Sequence, residues 1–176
     1  MRGLCSIVCP ALRRNRSTHD TGIDFEKQTI RTLERLCFRL RHTGGQGDQG
    51  VDFRGEWQLS HLAFKIVGQC KCERLKLGAR PIRELEGVIQ HEPPCTIGIM
   101  ATPKGYTSHG LRHFRLSQTP LIMCVVSQEV LVSFFINDSA GKLIPGLQVG
   151  YRLQNPSLSR NAPSVFYNGE LLSEIK

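Results

Sequence analysis

Apolar residues Ile30, Leu33, Leu36, Cys37 and Leu40 recur at helical spacing and predict a first helix with Asp24 as its N-cap. Glu26 then falls in the first turn, on or beside the apolar stripe. It either complements the helix N-terminus or points into a site beneath the helix. Four glycines among the eight residues Thr43–Gly50 mark a loop. Val51–Trp57 follows as a strand with Val51, Phe53 and Trp57 on one face and Asp52, Arg54 and Glu56 on the other. A turn near Leu59–His61 leads into a second strand, Ala63–Glu73. Here Phe64, Ile66, Gly68, Cys70 and Cys72 alternate with Lys65, Val67, Gln69 and Lys71, so the pair reads as a hairpin.

Helical period returns over Ala79–Gln90 through Ile82, Leu85, Val88 and Ile89, and Pro93-Pro94 closes it. Cys95–Ala101 reads as a short buried strand, Thr107–Ser117 as a helix, and Pro120–Val126 and Val130–Ile136 as two more strands. The order α-β-β-α-β-α-β, with a β-α-β crossover, predicts an α/β protein: a mixed sheet flanked by helices. Beyond Asn137 the pattern weakens; Leu143–Leu153 suggests extra strands and Gln154–Pro163 a loop. Three parts follow: a leader over 1–19, a core over 20–136 and a partly irregular extension over 137–176.

Charge narrows the partners. The chain has 176 residues and a formal charge of +8, which favours a polyanion, nucleic acid first, without deciding between DNA and RNA. The blander account is a basic mitochondrial protein with no specific site. No run approaches the roughly 18 apolar residues of a membrane span. The seven cysteines form no disulfide-scaffold spacing, and Cys37, Cys95 and Cys124 sit in apolar runs, as buried thiols of a reducing compartment do. The leader carries Arg2, Arg13, Arg14 and Arg16 and no acid before Asp20. That is the composition of a mitochondrial transit peptide or of a basic arm touching DNA.

Phosphodiester hydrolysis needs an activated water and a stabilised phosphate charge, and a divalent ion serves both. Mg²⁺ or Mn²⁺ takes one or two carboxylates plus neutral oxygens. Asp52 supplies a carboxylate after a glycine-rich loop, Gln69 an amide oxygen and Cys70 a backbone carbonyl; Glu26 could complete the shell. Lys71, on the face of Gln69, can orient the water. Gly47, Asp48 and Gly50 of the loop are candidate nucleic-acid contacts, and Lys104, Arg112 and Arg115 could touch phosphates or form an ordinary solvated helix face. The bland account of Asp52 and Lys71 is a cross-strand ion pair on a wet face. Cys70 and Cys72 with His91 and Cys95 match no four-ligand zinc spacing, and His109 and His113 lack a third ligand.

The motifs Gly22-x-x-Phe25-Glu26, Gly47-Asp48-Gln49-Gly50-Val51-Asp52-Phe53, Val67-Gly68-Gln69-Cys70-Lys71 and Arg83-Glu84-Leu85-Glu86-Gly87 together resemble the Mrr-like branch of the PD-(D/E)XK nucleases. The resemblance runs from about Gly22 to Val126. It implies a restriction-endonuclease-like core and Mg²⁺-dependent endonuclease activity on DNA. Asp52 is then the principal metal ligand, Gln69 the second, Lys71 the water-activating residue and Glu26 the first-helix acid. Gln69 stands where relatives carry an acid, which favours one metal over two. A basic leader on such a core is similar to the fungal mitochondrial family required for respiratory growth, seventh of its set, and implies a mitochondrial location. Two further functions fit the same fold: a silent nucleic-acid-binding module, and a respiratory assembly factor. A homodimer is also an expectation.

Overall fold

In the computed structural model the described residues are 18–45, 50–151 and 162–173. Most of the leader, the loop residues Gly47 and Asp48, and most of the predicted loop Gln154–Pro163 lie outside them.

The first helix, α1, spans Thr18–Glu34, so Asp24 is interior and not its cap. Buried Phe25, Ile30 and Leu33 hold the helix against the sheet, and this packing outweighs the cap preference of one aspartate. Glu26 accordingly stands mid-helix, away from the unpaired N–H groups of the first turn, and the helix-end account of its charge does not apply.

The predicted helix also ends too late. Phe38–His42 is a strand, β1, reached through Cys37 at φ 66°. Leu36, Phe38 and Leu40 satisfy a period of two as well as Leu33, Leu36 and Leu40 satisfy a helical one. Pairing with the next strand decides between them: Phe38 lies opposite Trp57 and stacks on it at 4.3 Å. Trp57 is fully buried and donates its indole N–H to the Leu36 carbonyl at 2.7 Å.

The hairpin is present as β2 (Phe53–Leu59) and β3 (Leu62–Cys70). Next come α2 (Ala79–Ile89), β4 (Ile97–Thr102), α3 (Ser108–Leu116), β5 (Leu121–Ser127) and β6 (Val130–Ile136). These match the predicted elements to within one or two residues at most ends. The six strands lie in sequence order in one sheet. β3–β4 and β4–β5 are parallel, and the other pairs antiparallel. The protein is thus a mixed α/β sheet flanked by helices, with one more strand before the hairpin than predicted and two crossovers, through α2 and α3.

Parallel crossovers share one hand, so α2 and α3 cover the same face of the sheet. Ile82, Leu85 and Phe114 meet Val67, Met100 and Met123 there. α1 covers the opposite face, over Phe53, Trp57, Ile66 and Ile99. Val51 belongs to the α2 side, not to the face of Phe53 and Trp57 as the alternation suggested. The strand begins only at Phe53, so strict alternation does not reach back to Val51. Gly68 has a packing role: a β-carbon there would lie 1.9 Å from the buried Phe53 ring.

Past Asn137 the chain forms α4 (Asp138–Leu143), β7 (Leu147–Tyr151), β8 (Pro163–Tyr167) and β9 (Glu170–Leu171). The last three make a small second sheet, and Ile144, Val165 and Tyr167 join the core beneath α1. Asn137 ties this segment down. Its side-chain oxygen accepts from Leu121 N–H at 3.0 Å and Ala140 N–H at 2.9 Å, while its amide donates to the Thr119 carbonyl at 2.8 Å.

Of the three cysteines read as buried, Cys124 is, Cys37 is half-buried and Cys95 is exposed. Cys37 and Cys95 both occupy positive φ at the entries to β1 and β4, which turns them out of the apolar runs. Burial raises the Cys124 thiol from its ordinary 9.0 to about 12. In the unfolded chain this thiol ionises from pH 9, so between pH 9 and 12 the unfolded state binds fewer protons and stability falls as pH rises. Half-buried Cys70 and buried Tyr106 act in the same direction. The urea midpoint is expected to be insensitive to these groups below pH 8.5 and to drop above 9. Each thiol contributes about 1.4 kcal/mol per pH unit. Equilibrium unfolding across that range, with Cys124→Ala showing a shallower fall, checks this.

Candidate active site

Asp52 precedes β2 and is pinned from both sides. Its N–H donates to the Gly68 carbonyl at 2.9 Å, and its carbonyl accepts from Thr43 at 2.8 Å and Gly44 at 3.1 Å. Its carboxylate Oδ2 accepts from the Cys70 N–H at 2.6 Å. The hairpin thus carries Asp52 to the end of β3, where Gln69 and Cys70 lie. A backbone donor to a carboxylate favours its charged form.

Gln69 is 6% exposed, and among the described residues its Oε1 has no hydrogen-bond partner. A buried amide oxygen left unpaired costs on the order of 1–3 kcal/mol. Gly50, at φ 77°, crosses beside it; a β-carbon on Gly50 would sit 2.7 Å from Gln69 Nε2. The glycine is therefore required twice, by its backbone angle and by the amide against it.

Lys71 follows β3, half-buried, with its N–H donating to the Ala101 carbonyl at 2.9 Å. Asp52 raises the half-buried Cys70 thiol: desolvation comes first and the Asp52 charge second, with a smaller contribution from Glu26. Glu26 lies near the same strand end, because Gly44 donates to the Asp52 carbonyl and a β-carbon on Gly44 would lie 3.1 Å from Glu26 Oε2. Its Oε2 lies 2.5 Å from His42 Nε2, and Gly44 passes over this pair, since a β-carbon there would be 3.1 Å from both atoms. His42 was missed in the sequence because β1 was missed; the Phe38, Leu40 alternation was the signal.

Lys104 is exposed just beyond β4, on the sheet edge where β3 also ends, and its charge reaches Cys72. Arg112 and Arg115 are exposed on α3. His113 pairs with Glu86 at 2.9 Å, while His109 is exposed. His91 and Cys95 precede β4, whereas Cys70 and Cys72 lie at the end of its parallel neighbour, so these two pairs occupy opposite sheet edges. Among the described residues no group of three His, Cys, Asp or Glu could hold a metal. An oxygen set built around Asp52 and the Gln69 amide is of another kind, and the unpaired buried Oε1 fits it. No described helix is long and apolar enough to cross a membrane.

The fold defines a mixed α/β protein in which Asp52 is bonded to the last residue of β3, with the buried Gln69 amide and Lys71 on either side of that residue in the chain. The family model for Required for respiratory growth protein 7 matches residues 17–67 and 62–144, and the chain belongs to that family. An uncharacterized mitochondrial protein of Schizosaccharomyces pombe is 32% identical over 145 residues, covering 77% of this chain and 59% of the relative. The chain therefore spans less than two thirds of that relative's length. In a solved structure of the MspJI restriction endonuclease with a 27-mer oligonucleotide, 57% of this chain aligns with 25% of that chain, at 20% identity and TM-score 0.46. The family membership and the relative agree with the expected mitochondrial location.

Proposed function

We propose that this mitochondrial protein of respiratory growth is a metal-dependent endonuclease acting on DNA, with Asp52, Gln69 and Lys71 as its centre. The unpaired Oε1 of buried Gln69 carries the reading. A neutral oxygen held dry at the end of the strand whose next residue binds the Asp52 carboxylate is costly unless a donor or a cation completes it, and a divalent ion would do so. The order of helix, antiparallel strands and crossover, with the motif residues at the strand ends, supports the Mrr-like assignment.

Asp52 and Gln69 would hold one Mg²⁺ or Mn²⁺, with the Cys70 carbonyl as a further oxygen. The ion would supply Lewis acidity toward the phosphate and lower the pKa of a bound water. Lys71 would orient the attacking water through its ammonium group and stabilise the negative charge that develops at the phosphate. Glu26 is engaged by His42 through Oε2.

That last point favours a second reading. With Glu26 held by His42 and Asp52 Oδ2 held by Cys70, the same cluster serves a silent nucleic-acid-binding module. Supercoiled plasmid separates the two. The endonuclease reading expects nicked or linear product with Mg²⁺ or Mn²⁺, arrest by EDTA, and loss of at least a hundredfold in rate in Asp52→Asn. Metal-independent binding with no product in any divalent ion supports the silent module.

A further inference from the structure

We propose that the loop Lys71–Leu77 is a duplex-engaging wedge, with Leu75 entering between base steps and Arg74 and Lys76 gripping the phosphates on either side. The inference rests on the nucleic-acid reading of the adjoining site and names the contact that site makes beyond the scissile phosphate.

Leu75 is 77% exposed, the most exposed large apolar side chain among the described residues. It stands between two exposed cations, Arg74 and Lys76. Neither makes an ion pair with described residues. Lys71 and Lys104 add charge from the same sheet edge, and Lys104 is close enough to act on Cys72. Glu73 is the one acid within Lys71–Leu77.

The loop is held at both ends. Lys71 N–H donates to the Ala101 carbonyl at 2.9 Å, Leu77 N–H to the Gly105 carbonyl at 2.9 Å, and Thr107 N–H to the Leu77 carbonyl at 2.9 Å. Leu77 itself is buried. Leu75 is thus presented from a fixed base immediately after the Gln69-Cys70-Lys71 segment. A bulky apolar side chain flanked by cations is the chemistry of an intercalating wedge: the cations take the backbone, and the apolar group replaces stacking at a kinked step. An anionic membrane would also attract the cations, but one leucine buries too little apolar area to anchor a surface helix or loop.

The test uses the full chain and a fluorescein-labelled duplex of about 20 base pairs, paired with the same duplex carrying 2-aminopurine. The unmodified protein is expected to bind with strong salt dependence and to raise 2-aminopurine emission by unstacking. Leu75→Ala should abolish that rise while its thermal melt is unchanged. Arg74→Gln/Lys76→Gln should flatten the salt slope by about 2. Lys142→Gln, on α4, should change neither. A 2-aminopurine rise that survives Leu75→Ala overturns the wedge. So does loop-dependent binding to anionic phospholipid vesicles without binding to the duplex. Because these readouts need no cleavage, a protein that unstacks DNA through Leu75 without cutting loses the endonuclease reading alone. One that cuts with Leu75→Ala at full rate and unstacking loses only the wedge.

Discussion

Lys71→Ala is expected to slow metal-dependent plasmid cleavage by about a thousandfold while leaving the fold intact. General acid–base and charge-stabilising groups contribute on the order of 10²–10⁴ in rate, and Lys71 is the cation adjoining Gln69 and Cys70 on the chain. Its side chain forms no ion pair among the described residues, so its removal breaks no such contact there. Its backbone bond to Ala101 survives any substitution that keeps an N–H. The check is single-turnover cleavage at saturating protein, with the thermal melt measured in parallel. A loss in rate with an unchanged melt assigns Lys71 to chemistry. A loss confined to binding, restored by excess protein, assigns it to phosphate contact instead of chemistry.

The largest effect on stability is expected at Trp57→Ala, about 4 kcal/mol. Three contributions converge there. The side chain is fully buried, it stacks on Phe38, and its ring lies edge-on to Phe134 at 6.1 Å. Its removal also leaves the Leu36 carbonyl without its donor at 2.7 Å, at the turn that joins α1 to β1. Trp57→Phe should recover the packing and lose the hydrogen bond, at about 1–2 kcal/mol. Urea unfolding of both variants measures the split. A cost below 1 kcal/mol for the alanine variant would mean that β1 does not pack as described.

Trp57 also shows where the sequence was readable. Alternation through Phe53 and Trp57, and through Ile66, Gly68 and Cys70, is strict because one sheet face is buried beneath α1; the hairpin follows from it. α2 and α3 carry clean apolar stripes, since each covers the sheet with one face only. β1 failed because its five residues follow a helix directly, and Leu36 and Leu40 fit both periods. Only the long-range pairing of Phe38 with Trp57 resolves them, and no local pattern contains it. Val51 failed at a strand end, where alternation stops.

The candidate site divides the same way. Asp52, Gln69 and Lys71 were legible because they sit on or beside paired strands, whose register brings them to one edge. His42, and with it the engagement of Glu26, was not, because it depends on the unseen β1. The wedge loop lacks any periodicity; Leu75 is visible only once its exposure is known.

In the proposed centre the Gln69 oxygen and Asp52 share one cation. Crystals soaked in Mn²⁺, read by anomalous scattering, test this most directly. A single peak about 2.1 Å from an Asp52 carboxylate oxygen and from Gln69 Oε1 is the predicted result. A peak elsewhere, or none with Gln69 Oε1 still unliganded at millimolar Mn²⁺, would contradict it.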